Sequence, residues 1–375
     1  MGLLKKKVLI LGVASVQMDA IKELKKMGYE VHAVAMANDG PGAAEADVFK
    51  EINILDKEAI TAYIKEEGIS VVYSVGSDMA IPVASDLSEK LDLPRFVSEK
   101  TAKICNNKDL MRETLGNNFE GNIPFQIMKE KDEEIQLPYP FILKPTDSQG
   151  QRGVVLVNNK QEFLEHFDHS KSYSRSGLVI IEKYVTGPEI SVNGYMVDGK
   201  LVFLVPSDRE TWTQFTGLIH KHILPTRVLS DEGNERLLSI LESTCSKLEI
   251  NNGPVYAQMK VENGLPYIIE ITPRLDGCHM WNILEKYTGV NLLELSFEHL
   301  IEGTTNALDN AKEITDDYVL EFICQEPNTP ADYSDFQDKM SNSIESFQYY
   351  EQGDNIRPVN GKYEKIGYFI YKTDK

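Results

Sequence analysis

The sequence predicts a protein of mixed α/β and α+β class, with a parallel sheet first and antiparallel strands after it. Apolar, strand-like runs alternate with helical spacing through about the first hundred residues, a pattern typical of a doubly wound parallel sheet. After Leu93 and Pro94, strand-like runs joined by short turns prevail, which indicates antiparallel hairpins. The length of 375 residues allows two or three domains.

The N-terminal part contains three predicted strands, "KVLILG", "EVHAVAM" and "SVVYSVGSD". The helical segment after the first strand stops at Gly28, a residue type common just beyond a helix end. A dinucleotide-binding domain is one interpretation of this pattern, and Asn38 and Asp39 follow the second strand, where an acidic ribose ligand would lie. The first turn, however, has Gly12 without the other glycines of the dinucleotide fingerprint, so this interpretation is not favoured.

The rest of the chain mixes helices with antiparallel strands. One helix is predicted over "SEKTAKICNNKDLMRETLG", followed by the strands "PFQIM", "YPFILKP" and "GVVLVNN". Further along, "PVYAQMKV" and "LPYIIEIT" form a predicted hairpin, and Asn291 is the expected N-cap of the helix "GVNLLELSFEHLIEG". The last stretch, from about "DDYVLEFICQE" onward, is interpreted as a small β-rich subdomain.

The composition excludes several classes of partner. Asp and Glu number 58 against 39 Lys and Arg, for a formal charge of −19, and such a surface repels nucleic acids and anionic membranes. No run approaches about 18 apolar residues, so no membrane span is expected, and the start of the chain is interpreted as a strand rather than a signal sequence. The four cysteines form no C-x-x-C pair, which argues against a zinc site or disulfides and predicts a cytoplasmic location.

The first motif that suggests a chemical role follows an apolar strand that ends at Lys144. The loop after it contains Ser148, Gly150 and Gly153. A lysine beside such a loop is suited to phosphate, because the ammonium supplies charge and the glycines let backbone N–H groups approach the oxygens. On this motif alone, an exposed lysine before a hairpin is an equal alternative.

The second motif is a pair of acids, Glu182 and Glu189, on either side of "KYVTGP". A nucleotide needs an acceptor for the adenine amine and a carboxylate for the ribose hydroxyls, and two acids on a connector can supply both. The pattern is weak by itself, because acids are common at strand ends.

The third motif is "IIEITPR". Side chains alternate along a strand, so Glu270, Thr272 and Arg274 project to one face and the isoleucines to the other. A carboxylate and a side-chain oxygen on one face can hold Mg²⁺, and the arginine can bind a phosphate. Gln258 in the preceding strand offers another oxygen. A solvated hairpin edge is the weaker interpretation, since the isoleucines imply burial.

The order of these motifs resembles that of the ATP-grasp superfamily, most of all the carboxylate–amine ligases related to biotin carboxylase and the carbamoyl-phosphate synthetase large subunit. The resemblance covers about residues 1–310. It implies an ATP-grasp fold with a Rossmann-like pre-ATP-grasp domain at 1–103 and an ATP-grasp domain at 104–310, with its lid at about 104–185. The β-rich C-terminal subdomain would then occupy 311–375.

The resemblance also implies a role for each site residue. It assigns ATP phosphates to Lys108 and Lys144, the closing loop to Ser148, Gly150 and Gly153, the adenine to Glu182 and the backbone of Val185, and the ribose to Glu189. Lys183 is a further residue expected to bind the nucleotide. It assigns Mg²⁺ or Mn²⁺ to Gln258, Glu270 and Thr272, and the γ-phosphate and acyl phosphate to Arg274. Thr272 stands where the family usually has Asn, and Gln258 stands where many members have an acid.

Three further residues are candidates local to this chain. Arg209 could hold a carboxylate substrate, with a surface ion pair to Glu210 or a neighbour as the alternative. His222 could reach the nucleotide or the metal, and a structural histidine is equally expected. Cys278 is expected to pack rather than act as a nucleophile, because no base partner is evident in the sequence.

The expected reaction begins with phosphorylation of a carboxylate by ATP, which gives an acyl phosphate and ADP. Attack by an amine then forms an amide and releases phosphate. The expected partners are small-molecule carboxylates and amines, with a homodimer left open. The alternatives are a small-molecule kinase on the same fold, a non-catalytic ATP-binding module and a nicotinamide oxidoreductase.

One expectation concerns the register of the hairpin that carries the metal ligands. A regular two-residue "NG" turn would place Gln258 opposite Ile269, on the face away from Glu270. If both residues bind one metal, the hairpin needs a bulge or an odd loop. We expect this irregularity between residues 261 and 267.

Overall fold

A parallel sheet forms the N-terminal part of the computed structural model, which describes residues 6–148, 152–215, 217–359 and 363–373. Its strands are β1 (Lys7–Leu11), β2 (Glu30–Ala35), β3 (Val48–Glu51) and β4 (Val71–Tyr73). They lie in the order β3-β2-β1-β4, and all pairs are parallel. The surrounding helices are α1 (Ser15–Lys26), α2 (Pro41–Glu45), α3 (Lys57–Glu67) and α4 (Ala80–Lys90).

The central strand β1 is buried on both of its faces. Val8 and Ile10 pack into one hydrophobic cluster, and Leu9 and Leu11 pack into another. A parallel sheet covered on both faces requires strands that are apolar nearly throughout. Burial on both faces therefore explains the continuous apolar run at the start of the sequence.

Two short helices, α5 (Glu99–Asn106) and α6 (Lys108–Leu115), stand where one continuous helix was predicted. That prediction was wrong because Asn107 has an extended backbone, with φ −123° and ψ 118°. Its side-chain amide donates to the carbonyl of Lys103 at 2.7 Å, an arrangement that competes with helix continuation. The break places Lys108 at the start of the second helix.

A small antiparallel sheet follows. Its strands are β5 (Phe125–Met128), β6 (Phe141–Pro145), β7 (Val155–Val157) and β8 (Val179–Lys183). They lie in the order β5-β8-β6-β7. Helix α7 (Lys160–Ser172) buries Phe163 and Phe167 in the hydrophobic cluster of this sheet.

The largest sheet has eight antiparallel strands. They are β9 (Glu189–Val197), β10 (Lys200–Thr211), β11 (Ile219–Leu224), β12 (Gly253–Glu262), β13 (Leu265–Thr272), β14 (Asp317–Gln325), β15 (Glu345–Gln348) and β16 (Glu364–Thr373). Their order is β13-β12-β9-β10-β11-β14-β16-β15. The remaining α-helices in the described part are α8 (Asp231–Lys247), α9 (Met280–Thr288), α10 (Leu292–Glu302) and α11 (Gln337–Ser341).

The two faces of this large sheet differ in polarity. On one face, Ile190, Val192 and Met259 are buried in the largest hydrophobic cluster. Side chains alternate along a strand, so the positions between them, which include Glu189 and Gln258, project to the opposite face. That second face carries six of the predicted site residues, which are Glu189, Arg209, His222, Gln258, Glu270 and Thr272.

The C-terminal stretch is β-rich, as the sequence predicts. Its strands β14 and β16 continue the large sheet from β11, so strands before and after the predicted boundary at 310 share one sheet; the boundary itself stays a prediction. Asn291 caps α10 through its side-chain oxygen, which confirms the predicted N-cap. No helix in the described ranges is long and apolar enough to cross a membrane, and all four cysteines are free and buried.

The β12–β13 hairpin is irregular, but not where the sequence predicted. The strands pair directly across a two-residue turn, so the expectation of an irregularity between residues 261 and 267 is wrong. The register shifts further from the turn, where Ile269 has no pairing partner. This bulge pairs Gln258 with Glu270, and paired residues in antiparallel strands project to the same face.

Candidate active site

The polar face of the large sheet brings together residues that are far apart in the sequence. Glu189 pairs with Arg209 across β9 and β10, and Arg209 pairs with His222 across β10 and β11. On the other side, the Gln258 amide donates to Glu189 Oε2 at 2.8 Å, and Gln258 pairs with Glu270. Three strand pairings and one side-chain hydrogen bond therefore connect five of the predicted site residues across this face.

A buried ionic network lies at the end of this face nearest the small sheet. Lys144 Nζ contacts Glu182 Oε2 at 2.6 Å, and Arg112 Nε donates to Glu182 Oε1 at 2.8 Å. Arg112 also donates to Asn122 Oδ1 at 2.7 Å and to the Ile269 carbonyl at 3.1 Å. Both oxygens of Glu182 are thus engaged by cations, and Arg112 links this network to the bulge beside Glu270.

The charges in this network shift the pKa values of its members. Burial alone would raise the pKa of Glu182, but Arg112 and Lys144 outweigh it and lower that pKa to about 2. Burial lowers the pKa of Lys144 to about 8, because the attraction of Glu182 is offset by repulsion from Arg112 and Lys108. Two cations, Arg112 and Lys144, therefore contact this one carboxylate, and Lys108 acts electrostatically on Lys144 from further away.

Arg112 is a site residue that the sequence analysis missed. The buried positions of α6 are Met111, Arg112 and Leu115, so the arginine lies on the apolar side of a short helix. An arginine is rarely buried without a partner. An arginine on the apolar side of a predicted helix could therefore have indicated a buried ionic network from the sequence.

Lys108 and the loop after β6, both predicted to bind the ATP phosphates, are in contact. Lys108 Nζ donates to the Ser148 carbonyl at 3.3 Å. Gly153 has φ +72°, and a Cβ atom there would lie 2.9 Å from the Tyr173 ring, so the loop requires glycine at this position. Gly150, also predicted here, lies outside the described residues.

The connector after β8 is attached to the β12–β13 hairpin. Lys183 Nζ contacts Glu262 Oε2 at 2.7 Å, and Glu262 also accepts from the backbone and hydroxyl of Thr186 at 3.0 Å. Val185, predicted to lie beside the adenine, is buried. Glu262 therefore fixes the predicted adenine-binding segment to the large sheet.

Arg274 contacts a loop of the N-terminal sheet rather than solvent. Its Nε donates to Asp78 Oδ1 at 2.6 Å, and its NH1 donates to the Leu275 carbonyl at 2.9 Å. Thr272 Oγ1 lies 3.5 Å from the same Asp78 oxygen. Burial alone would raise the pKa of Asp78, but Arg274 outweighs it and leaves the pKa lowered.

Asp78 is the second site residue that the sequence analysis missed. It follows β4 in "VGSD", and loops at the carboxyl ends of parallel strands are the usual ligand sites of such sheets. Gly76, in the same loop, has φ +62°, and a Cβ atom there would lie 2.8 Å from Gly277 Cα. The N-terminal sheet thus approaches the turn after Arg274 at backbone contact.

The predicted metal ligands fit an oxygen-preferring divalent cation. The carboxylate of Glu270 has no hydrogen bond or ion pair within the part of the chain that the structure describes. Gln258 stands beside it through the bulge pairing, and Thr272 follows on the same face. A carboxylate, an amide oxygen and a hydroxyl are ligands of the kind that Mg²⁺ and Mn²⁺ accept.

Arg209 and His222 are buried side by side. Arg209 forms its ion pair with Glu189 and donates from NH2 to the Gly217 carbonyl at 3.3 Å, whereas the sequence had offered Glu210 as the alternative partner. His222 is fully buried, and burial, with smaller effects of Arg209 and Lys365, holds its pKa well below the usual value. His222 is therefore neutral at neutral pH.

Comparison with known proteins gives a match that is centred on these elements. Residues 137–281 match the family model described as "ATP-grasp domain". The carbamoyl phosphate synthase large chain of Caldanaerobacter subterraneus subsp. tengcongensis is 26% identical over 250 residues, which are 64% of this chain and 23% of that protein. Dapdiamide A synthase of Enterobacter agglomerans is 28% identical over 229 residues, 57% of this chain and 53% of that protein. The chain thus spans about a quarter to a half of the length of these curated relatives.

A solved structure shares the fold along nearly the whole chain. The L-amino acid ligase from Bacillus licheniformis superposes with a TM-score of 0.82 over 99% of this chain and 94% of that one, at 19% sequence identity. Identity at that level shows the fold alone. Residues 137–281 therefore match an ATP-grasp domain, and the fold along nearly the whole chain is that of the L-amino acid ligase structure.

Proposed function

We propose that the protein is an ADP-forming ligase that joins a carboxylate to an amine through an acyl phosphate. The carboxylate oxygen attacks the γ-phosphorus of ATP and ADP leaves. The amine nitrogen then attacks the acyl carbon, inorganic phosphate leaves, and the amine loses a proton as the amide forms. The family match and the names of the curated relatives support ligation over the kinase alternative.

One observation carries this proposal. Arg112 joins the Lys144–Glu182 pair to the carbonyl of Ile269, the residue before Glu270. A lysine suited to phosphate and a carboxylate suited to a metal therefore lie on either side of a single guanidinium. An ATP molecule that bridges the small and large sheets needs a cation beside its phosphates and a carboxylate for the metal ion that accompanies them.

Each residue has a proposed task within that geometry. Lys108 and Lys144 bind the phosphates, and Arg274 holds the transferred phosphoryl group, so that the three cations neutralise the charge that develops during transfer. Glu189 binds the ribose, and the backbone at Val185 lies beside the adenine. Mg²⁺ or Mn²⁺, held by the residues of the β12–β13 hairpin, would polarise the phosphate oxygens and neutralise their charge.

Glu182 has a structural task in this proposal besides the adenine contact that the resemblance suggests. Because both of its oxygens bind cations, it positions Lys144 and keeps its ammonium protonated. The adenine contact of Glu182 stays a prediction, as do a cytoplasmic location and a homodimeric assembly.

Product analysis tests the proposal against its alternatives. Candidate acids are incubated with ATP, Mg²⁺ and hydroxylamine, which traps an acyl phosphate as a hydroxamate. The ligase proposal expects ADP, inorganic phosphate and hydroxamate in equal amounts. Formation of AMP and pyrophosphate, or of a stable phosphorylated product that hydroxylamine does not consume, would exclude it, and a nicotinamide oxidoreductase would bind NAD(H) without ATP turnover.

A further inference from the structure

Three buried polar atoms near Arg274 have no hydrogen-bond partner among the described residues. They are Arg209 Nε, His222 Nε2 and Asp276 Oδ2. A buried polar atom without a partner costs roughly 1–3 kcal/mol, and native structures contain few of them. Their concentration beside one another indicates a place where a ligand supplies the missing hydrogen bonds.

Two of these side chains lie close together, beside Cys278. One ligating atom each of His222, Asp276 and Cys278 lies within 4.8 Å of the other two, and all three residues are buried. Lys365 Nζ closes another side by donating to Cys278 Sγ at 3.4 Å. We call this group, with Arg209, the Asp276 pocket.

The charges of the Asp276 pocket have both signs. Arg274, Lys365 and Arg209 act on Asp276 electrostatically, yet none of them forms a hydrogen bond to its Oδ2 atom. Three cations close to the carboxylate disfavour a ligand that is only cationic, such as a metal ion, because such a ligand brings no anion to offset its repulsion from Arg274, Lys365 and Arg209. A ligand that carries its own cation and its own anion satisfies both sets of groups.

We propose that the Asp276 pocket binds the acid substrate as an α-amino acid. Its ammonium donates to Asp276 Oδ2, and its carboxylate points toward Arg274 and the unpartnered N–H of Arg209. In an α-amino acid a single carbon separates these two charges, and Arg274 and Arg209 lie close enough to Asp276 to act on it electrostatically. This inference rests on the proposed ligase function, and it names the class of acid that is phosphorylated.

His222 suits this ligand because it is neutral. A neutral imidazole with an unpartnered ring nitrogen can share a hydrogen bond with the substrate without repelling the ammonium. Cys278 contributes its thiol as a wall of the pocket, in agreement with the packing role predicted from the sequence. The side chain of the amino acid is not specified by these groups.

The experiment compares each acid with its deaminated counterpart. Wild-type protein is given ATP, Mg²⁺ and hydroxylamine with single proteinogenic L-amino acids, and then with propionate in place of L-alanine, glutarate in place of L-glutamate and 3-phenylpropionate in place of L-phenylalanine. We expect hydroxamate with at least one amino acid, and a preference over its deaminated counterpart of at least about 30-fold in kcat/KM. Equal use of both members of every pair would overturn the inference.

Asp276→Asn removes the charge and keeps the shape, so the variant should lose most of that preference while its affinity for Mg²⁺ and a non-hydrolysable ATP analogue stays unchanged. Asp86→Asn is the matched control, because Asp86 is also a buried carboxylate flanked by cations, Lys57 and Lys90, in another part of the fold. That control should retain the wild-type preference.

The outcomes separate this inference from the proposed function. ATP-dependent hydroxamate formation with acids that lack an amino group, together with none from amino acids, would refute the amino acid pocket and leave the ligase standing. Absence of hydroxamate from every acid, amino acids included, would refute both. Retention of a stoichiometric transition metal after dialysis, lost in Asp276→Asn, would show that the pocket is a metal site and overturn the inference.

Discussion

Replacing Glu182 by glutamine isolates the task of the buried network. Glu182→Gln keeps the size of the side chain but removes the anion between Lys144 and Arg112, which lie 2.6 Å and 2.8 Å from its oxygens. All three side chains are buried. Breaking a buried ion pair by removing one partner costs roughly 3–5 kcal/mol.

Lys144 responds by losing its proton, since that relieves the uncompensated charge. A penalty of about 3–5 kcal/mol corresponds to a fall of about 2–4 units in pKa, and the pKa of Lys144 in the wild-type protein is already lowered to about 8. In the variant, Lys144 should therefore be neutral at neutral pH. A neutral amine contributes little to the binding of phosphates.

The assay is the pH profile of kcat/KM for ATP, which reports groups of the free enzyme. For the wild-type protein we expect a decline as the pH rises through about 8, where Lys144 loses its proton. For Glu182→Gln the decline should begin below neutral pH. Glu321→Gln is the control, because Glu321 is another buried glutamate with a lysine partner, Lys221 at 3.2 Å, and its profile should match the wild type.

Acid unfolding gives an independent check on the same residue. The pKa of Glu182 is about 2 in the folded protein against an ordinary value of 4.5, so its contribution to stability is present above about pH 4.5 and is lost as the pH falls toward 2. Glu182→Gln should be less stable at neutral pH and should lose less stability across this acid range. If both the pH–rate profile and the acid profile coincided with the wild type, Glu182 would not hold Lys144 in its charged form.

Other predictions concern the metal ligands and the contact with the N-terminal sheet. Glu270→Gln should lower kcat by roughly 10²–10³-fold and raise the Mg²⁺ concentration needed for half-maximal rate, with unchanged thermal unfolding; normal metal dependence would remove Glu270 from the site. Gly76→Ala should lower the unfolding free energy by roughly 1–3 kcal/mol, because φ is +62° and Cβ would lie 2.8 Å from Gly277. Gly68→Ala shares the left-handed backbone, with φ +68°, but meets no atom within 4 Å, so an equal loss in both variants would show that the contact with Gly277 is unimportant. Asp78→Asn should raise the KM of the acid more than that of ATP, because Arg274, toward which the carboxylate of the acid points, loses its anionic partner. A larger rise in the KM of ATP would contradict the position given to Arg274.

The strands were the most predictable part of the protein. The apolar run of β1 and the alternating pattern of the β12–β13 hairpin indicate directly which faces are buried. The hairpin also shows where prediction stops: Gln258 and Glu270 were expected on one face only if the pairing was irregular, and it is, but at Ile269 rather than near the turn. The Asn-Gly turn is regular, and nothing in the local sequence specifies which residue further along the strand loses its partner.

The missed residues depend on contacts that are distant in the sequence. Arg112 is 70 positions from Glu182 and Asp78 is 196 positions from Arg274, so no local motif joins them. The break at Asn107 was missed for the opposite reason, because a side chain that competes for a local carbonyl outweighed a helical pattern. The sheet order that joins β11 to β14 likewise depends on tertiary packing rather than on either strand.

The central claim is that a carboxylate is activated by direct transfer of phosphate, and isotope transfer tests it most directly. An acid that supports hydroxamate formation is labelled with ¹⁸O in its carboxylate and incubated with ATP, Mg²⁺ and hydroxylamine, and the phosphate products are analysed by mass spectrometry. Transfer through an acyl phosphate predicts one ¹⁸O atom in each inorganic phosphate released, alongside unlabelled ADP. Label in AMP with release of pyrophosphate, or inorganic phosphate without label, would contradict the mechanism.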